Sequence, residues 1–393
     1  MIARQAIEPA PVRDARLLPL DALRGLIMPI MALDHASFFI AHRHGSEFWG
    51  GEITRYDDAL AFLTRFVTHF CAPGFFFLMG CGMALFAASR RPLGWSHGRI
   101  ARFFVSRGLL LVLVNQIVEN PSWILGILTQ VDPVAAPPAP GPGGQAFLLT
   151  GVLTALGLTL ATGGLLLRLG SIAWLILGAA GLWVTNAFTP SPAQATVAFH
   201  PILRLLLIPG QTGILMVLYP LIPWFALAAL GVAYGRWLRR GERAALHAAS
   251  WIGALLVLAA IGMRAAGGFG NLRLPRDRSW IEFLNFVKYP PALVFSFFMV
   301  GGNLLVLGLF AAVRTRVGVL LDTLAVFGRA PLFFYLAHLW LFSILGAVFF
   351  RRAVGLQTMY LVWAAGLVPL WLLCRRYRAF KERKPAESIW RLF

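Results

Sequence analysis

Ten apolar runs alternate with short polar, basic or Pro/Gly-rich segments along the chain. They fall at about 18–40, 60–88, 101–119, 146–167, 171–189, 213–235, 245–266, 290–313, 323–350 and 358–374. A helix needs about 20 apolar residues to cross some 30 Å of hydrocarbon, and each run meets that need, although the third and tenth are short. The pattern predicts an all-α fold, a polytopic membrane helical bundle of about ten transmembrane helices. Residues 1–16 read as a polar tail, 17–376 as a single transmembrane domain, and 377–393 as a basic tail. The segment VDPVAAPPAPGPGG at 131–144 is too rich in Pro and Gly to be a span. Pro220 and Pro223 predict a kink in the sixth run. In the second, Gly80, Ala84 and Ala88 recur every fourth residue, a small-residue face that lets helices approach closely.

Composition supports the same class. The 393 residues are 59% hydrophobic and 13% charged, against about 25% charged in soluble domains. A net charge of +19 raises the question of nucleic acid. The basic residues, however, sit mainly in loops between apolar runs, as the positive-inside rule distributes them. Counting Lys and Arg on alternate sides gives 21 against 11 and puts both termini in the cytoplasm. Five of the 11 lie between Arg264 and Lys288, a loop that runs against the rule and so invites an extracytoplasmic job, such as attracting an anionic glycan. No cleavable leader is evident, because the first apolar run carries Asp21 and Arg24. The three cysteines offer no disulfide framework: Cys71 and Cys81 lie about 15 Å apart on one helix, and Cys374 is near the end of the chain. Walker, GxGxxG, HExxH and GxSxG motifs are missing, which leaves phosphoryl transfer, nicotinamide chemistry and serine hydrolysis unsupported.

Candidate chemistry concentrates in the first run, LLPLDALRGLIMPIMALDHASFFIAHRHG at 17–45. Ionisable groups at membrane depth are expensive and mark function by default. Arg24 and His35 are eleven residues apart, an offset of about 20° on one helix face and roughly 16 Å along its axis. Asp21 lies three residues before Arg24, within reach of its guanidinium. Arg107 and Arg329 fall in the same half of their own spans. Three guanidiniums there suit phosphate oxygens, although each arginine can equally snorkel to the interface. His35 is placed as a general base. Asp34 is adjacent but turned about 100° away on the helix. His42 and His44 follow, near Glu47, Glu52, Asp57 and Asp58, without the tight spacing of a metal site. That stretch reads as a solvated loop, and no metal is expected. His69 and His338 are candidates for the same cavity. Tyr335, three residues before His338, makes a hydrogen-bonded core pair an equally good reading.

The motif LDALRG at 20–25 with Met28, Met31, Asp34 and His35, the segment FFFLMG at 75–80 after Pro73, KYPP at 288–291 and GRAPLFFYLAH at 328–338 together carry a resemblance. The chain resembles bacterial membrane proteins grouped with the heparan-α-glucosaminide N-acetyltransferase catalytic domain, over nearly its whole length. The resemblance implies an acyltransferase of the bacterial inner membrane that moves an acetyl group from cytoplasmic acetyl-CoA to a sugar or glycan acceptor across the bilayer. Its partners would be lipid, acyl-CoA and acceptor, with no nucleic acid; a homodimer is compatible with the reading. The broader membrane sugar acyltransferases have an Arg and a His eleven apart in the first span, matching Arg24 and His35. In the eukaryotic lysosomal enzyme the histidine implicated lies in or near the loop after span one, so His35, His42 and His44 all remain candidates. On this basis Arg24, Arg107 and Arg329 are assigned to the acyl-CoA, His35, Asp34 and His44 to catalysis, and Asp21, His69, Tyr335 and His338 to substrate. The rival reading is a multipass transporter or flippase, since the same residue types build substrate paths.

Overall fold

The computed structural model describes residues 17–45, 47–51, 54–56, 58–131, 140–141, 148–385 and 388–391. The tail at 1–16 therefore lies outside the described residues, as do Glu52, Asp57 and most of the Pro/Gly-rich segment.

The chain runs α1 (Leu18–Phe39), α2 (Ala59–Thr68), α3 (Cys71–Arg90), α4 (His97–Val114), a π turn (Asn115–Glu119), α5 (Asn120–Thr129), β1 (Leu148–Thr150), α6 (Val152–Leu166), α7 (Ser171–Phe188), α8 (Pro201–Leu206), β2 (Gly210–Thr212), β3 (Leu215–Val217), α9 (Leu221–Arg240), α10 (Glu242–Ala266), α11 (Trp280–Leu284), α12 (Leu293–Val313), α13 (Gly318–Gly328), α14 (Pro331–Phe349) and α15 (Leu356–Glu382). Eight helical stretches among the described residues are long and apolar enough to cross a membrane. The protein is a multipass membrane bundle. The polar α1 and the shorter α6 are not among the eight.

Several predicted runs are subdivided or extended. The second run breaks at His69 and Phe70, because Pro73 has no N–H for the carbonyl four residues earlier. At the break, the Phe70 carbonyl accepts both from Gly74 N at 3.1 Å and from Asn303 Nδ2 of α12 at 3.0 Å, which ties α12 to this point. The third run does not stop at 119 but continues through the π turn to Thr129. Its polar end is a buried hub. Asn115 donates to Leu149 O at 3.2 Å and accepts from Thr154 N at 2.9 Å, tying β1 and the start of α6 to this helix. The ninth run is two helices, broken at Arg329 and Ala330. A three-stranded sheet in the order β1-β3-β2 adds a little β-structure to the otherwise helical fold.

Small residues set the helix spacing. A Cβ on Gly80 would stand 2.0 Å from Ala228 O, and one on Gly231 would stand 2.0 Å from Phe77 O, so α3 and α9 meet backbone to backbone. At the start of α1, a Cβ on Gly25 would come within 1.9 Å of Leu324 O of α13. We expect Gly25→Ala to destabilise the protein by about 1–3 kcal/mol or more, measured as a fall in thermal midpoint in detergent. An unchanged midpoint would mean that α13 moves aside freely.

The first turn of α1 and the last turn of α15 lie at the same end of the bundle. Arg329 Nε bonds Asp21 at 3.1 Å, and Lys381 Nζ donates to Arg329 O at 3.2 Å. That end is called the near face. The far face carries the loop after α1, where Lys288 and Tyr289 both donate backbone N–H groups to Glu47 O. The basic segment 264–288 is a self-tied strap. Arg264 is buried and donates to Phe283 O, Asn271 Oδ1, Arg273 O, Glu282 O and Asn285 O. Arg276 pairs with Glu282, and Arg273 donates to Gly51 O at 2.7 Å. Three of its five cations, Arg264, Arg273 and Arg276, are engaged in holding the loop, which gives most of its charge a structural role.

Candidate active site

Two cavities meet along α1. The near cavity has a volume of about 460 Å³ and brings Arg24, Arg107 and Arg329 together with Arg90 and Lys381, facing a single lining carboxylate, Asp21. Asp21 is shared: Arg24 Nη1 lies 3.5 Å from Oδ1, and Arg329 Nε lies 3.1 Å from Oδ2. Arg24 also donates to Gly328 O at 3.2 Å. Arg107 sits over the Phe103 ring at 4.0 Å and donates to Ser388 O at 3.3 Å. The cavity thus keeps a large excess of cation among apolar walls, with Met79, Met83, Phe86 and Phe104 among the lining residues.

The inner cavity, about 260 Å³, contains His35, Asp34, His44, Glu119, Trp123, Lys288 and Tyr335 among its lining residues. Met31, Phe75, Val152 and Tyr335 line both cavities and form the neck between them. A third cavity of about 330 Å³, at the far face, shares Asp34, His44 and Gly45 with the inner one and adds His42, Arg43, Arg55, Tyr56 and Asp58.

His35 is held by α14. Its Nδ1 lies 2.6 Å from His338 Nε2, and His338 Nδ1 lies 2.8 Å from Phe334 O. A carbonyl can only accept, so His338 carries its proton on Nδ1 and offers Nε2 as an acceptor. His35 must then donate from Nδ1, which leaves the Nε2 lone pair unused; it makes no hydrogen bond among the described residues. The tautomer follows from the network. Trp123 meets the His35 ring edge-on at 5.2 Å, and the two imidazoles lie side by side, their planes 9° apart and their centroids 4.9 Å apart. His338 therefore stands behind the base rather than pairing with Tyr335, whose hydroxyl donates instead to Glu119 Oε1 at 2.7 Å. The second oxygen of Glu119 is buried and has no hydrogen-bond partner among the described residues.

Asp34 belongs to a separate network, consistent with its turn away from His35. Its Oδ1 accepts from Arg65 Nη1 at 2.5 Å and from Thr68 Oγ1 at 3.0 Å. Arg65 binds Glu47 through both Nε and Nη2, at 3.0 and 2.7 Å, and donates to Gly45 O. The loop read as solvated thus buries Glu47, which is 1% exposed. Burial alone would raise the Glu47 carboxyl, but the Arg65 guanidinium and His69 hold it well below the usual carboxylate range. His44 Nε2 lies 3.1 Å from Arg65 Nη1 and 3.6 Å from Asp34 Oδ2, so the shorter contact makes that nitrogen an acceptor. Burial and the Arg65 charge lower the His44 pKa, and its imidazole is neutral at pH 7. His42 Nε2 is 3.0 Å from Phe350 O. His69 Nε2 stands 3.4 Å from Glu47 Oε1, beside the Phe295 ring and outside the cavity linings described above. Of the three candidate bases, His35 alone combines a fixed tautomer with an uncommitted lone pair in the inner cavity, the His44 lone pair being turned to Arg65. Among the described residues no cluster of His, Cys, Asp and Glu could hold a metal.

A family model for the heparan-alpha-glucosaminide N-acetyltransferase catalytic region matches residues 16–266, well over half of the chain. The chain belongs to that family. No curated protein matched it. Membership in the heparan-alpha-glucosaminide N-acetyltransferase family makes acyl transfer the general activity, on a membrane bundle. The matched stretch supplies Arg24, His35, Arg65, Arg107 and Glu119, whereas Lys288, Arg329, Tyr335, His338 and Lys381 come from the chain beyond it. Sequence reading missed Arg65, Glu47, Glu119 and Lys288. Arg65 lies inside α2, near the far-face end of an apolar run, where it is one of the 11 basic residues on that side of the charge count. The polar cluster Asn115–Asn120 was the available signal for Glu119.

Proposed function

We propose that the protein transfers an acetyl group from acetyl-CoA, bound from the cytoplasm at the near face, to a sugar or glycan acceptor reaching the inner cavity from the far face. His35 Nε2 is the general base. Both termini are then cytoplasmic, the bilayer being a bacterial inner membrane. The observation that carries the reading is the shared neck: Met31, Phe75, Val152 and Tyr335 join a cation-lined cavity to the one holding the uncommitted His35 nitrogen.

Each part has a physical task. Arg24, Arg90, Arg107, Arg329 and Lys381 supply charge-assisted hydrogen bonds to the CoA phosphates, and the Met and Phe walls accept the pantetheine arm. The arm passes the neck and presents the thioester to His35. The far cavity, polar and open to the loop after α1, admits the acceptor. A positioned histidine base supplies about 10²–10⁴-fold, and positioning of the two substrates supplies more.

The test is a labelled acetyl-CoA assay on purified protein with a panel of sugars, oligosaccharides and lipid-linked sugars. Label that crosses liposomes without becoming covalently attached would favour transport instead. The arginines have their own prediction. Arg24→Ala and Arg107→Ala should each weaken acetyl-CoA binding by roughly tenfold or more, since a hydrogen bond to a charged group contributes about 1.5–3 kcal/mol. Acetyl-pantetheine, which lacks the nucleotide phosphates, should bind the variants and the wild type alike. Equal losses with both donors would assign the arginines to helix packing.

A further inference from the structure

Lys288 stands out among the charged groups of the inner cavity. It is 3% exposed and lines the cavity beside His35. Its ammonium makes no hydrogen bond or ion pair among the described residues. It lies over the face of the adjacent Tyr289 ring, 5.1 Å from the centroid. The carboxylates that could have paired with it, Asp34 and Glu47, are both turned to Arg65. The ammonium nonetheless lies within Coulombic reach of Asp34 and His35. The backbone around it is fixed, since Lys288 N donates to Glu47 O at 3.0 Å and Tyr289 N to the same oxygen at 3.1 Å. An ammonium that faces the cavity without a protein acceptor is open to an anionic oxygen arriving beside it.

We infer that Lys288 stabilises the oxyanion formed when the acyl carbonyl is attacked in the inner cavity. The inference rests on the acyl-transfer reading above. In the step, the acceptor O–H or N–H loses its proton to His35 Nε2 as its oxygen or nitrogen bonds to the acyl carbon. The carbonyl π pair moves onto the oxygen, which meets the Lys288 ammonium. The oxyanion then collapses, the C=O bond re-forms and the C–S bond breaks. The proton held by His35 passes to the departing sulfur, leaving acylated acceptor and CoA thiol.

Charge balance favours a transient anion over a permanent one. Asp34, Glu47, Arg65 and Lys288 together are neutral, and Glu119 adds a further carboxyl to the inner cavity, so a fixed negative group on the acceptor would find no spare cation there at membrane depth. Attack creates its own pair, imidazolium at His35 and oxyanion at the carbonyl, and leaves the sum unchanged. Lys288 is then a preorganised donor aimed at charge that exists only in the transition state, the arrangement that accelerates chemistry rather than binding.

The experiment is steady-state kinetics on the full-length Lys288→Met protein, with binding of a non-transferable thioether analogue of acetyl-CoA and thermal unfolding measured alongside. The expected result is a fall in kcat of about 10²–10³-fold, with both KM values and analogue affinity changed by no more than about twofold. Unchanged kcat overturns the inference. So does a raised acceptor KM with kcat retained, which would make Lys288 an acceptor-binding group. Should Lys288→Met fail to fold, Lys288→Arg decides by the same split: reduced kcat at constant KM supports the oxyanion role, and raised KM at constant kcat overturns it. A wild-type protein that neither acylates an acceptor nor hydrolyses acetyl-CoA would sink the acyltransferase reading itself, whereas wild-type turnover with an indifferent Lys288→Met sinks only this step.

Discussion

Replacing His35 with alanine is expected to lower acyl transfer by about 10²–10⁴-fold while acetyl-CoA still binds. The magnitude follows from the network behind the ring. Phe334 O fixes the proton of His338 on Nδ1, His338 Nε2 fixes that of His35, and the His35 Nε2 lone pair is left to the cavity. Removing the base removes the proton acceptor but none of the cations of the near cavity, so donor affinity measured by calorimetry should hold. His338→Leu is the informative companion. It keeps His35 but frees the ring to rotate or to change tautomer, and should give a smaller loss at unchanged KM. Wild-type rates in His35→Ala would move the base to the loop after α1, where His44 is the next candidate.

The second large effect is on stability. Arg65→Met removes the cation that answers both the buried Glu47 and the part-buried Asp34. Breaking a buried ion pair by deleting one partner costs about 3–5 kcal/mol, a large share of the 5–15 kcal/mol that usually holds a domain folded. We expect a steep drop in thermal midpoint in detergent, or no folded protein at neutral pH. Acidification separates this cause from simple cavity formation. In the wild type, Arg65 keeps the Glu47 carboxyl well below its usual range. Its contribution is therefore complete above the ordinary carboxylate pKa and lost as pH falls through the lowered one. In Arg65→Met the carboxylates are buried without a cation, protonation relieves them, and stability should rise as pH falls. A variant whose midpoint falls equally at every pH would show that lost packing, not unpaired charge, is responsible.

Much of this architecture was legible because hydrocarbon imposes a coarse and strict code. Apolar runs of sufficient length become helices, and charged residues inside them are conspicuous. Arg24, Arg107 and Arg329, far apart in sequence, do share one cavity, and the His35 face does lead away from it. The small-residue face at Gly80 and Ala84 meets α9 as spacing suggested. What sequence could not show was how breaks and pairings arise between distant segments. The π turn at Asn115–Glu119 is invisible to a 3.6-residue period, and it brings Glu119 within reach of Tyr335. Glu47 looked like one of several loop acids until Arg65, inside α2, buried it. His338 and Tyr335 are neighbours on one helix face, yet each finds its partner on another helix, because a buried polar group is satisfied by whatever the packing brings nearest.

The bond between His35 and His338 spans 303 residues of chain. During synthesis α1 is among the first helices made and α14 among the last, and domains generally form N-terminal part first. Until α14 is inserted, the His35 ring has no acceptor for its Nδ1 proton and Arg329 is not yet beside Asp21. A half-made chain in the bilayer therefore carries the His35 imidazole without the contacts that orient it. On the proposed mechanism, the site that would hold the thioester is assembled only once α14 is in place.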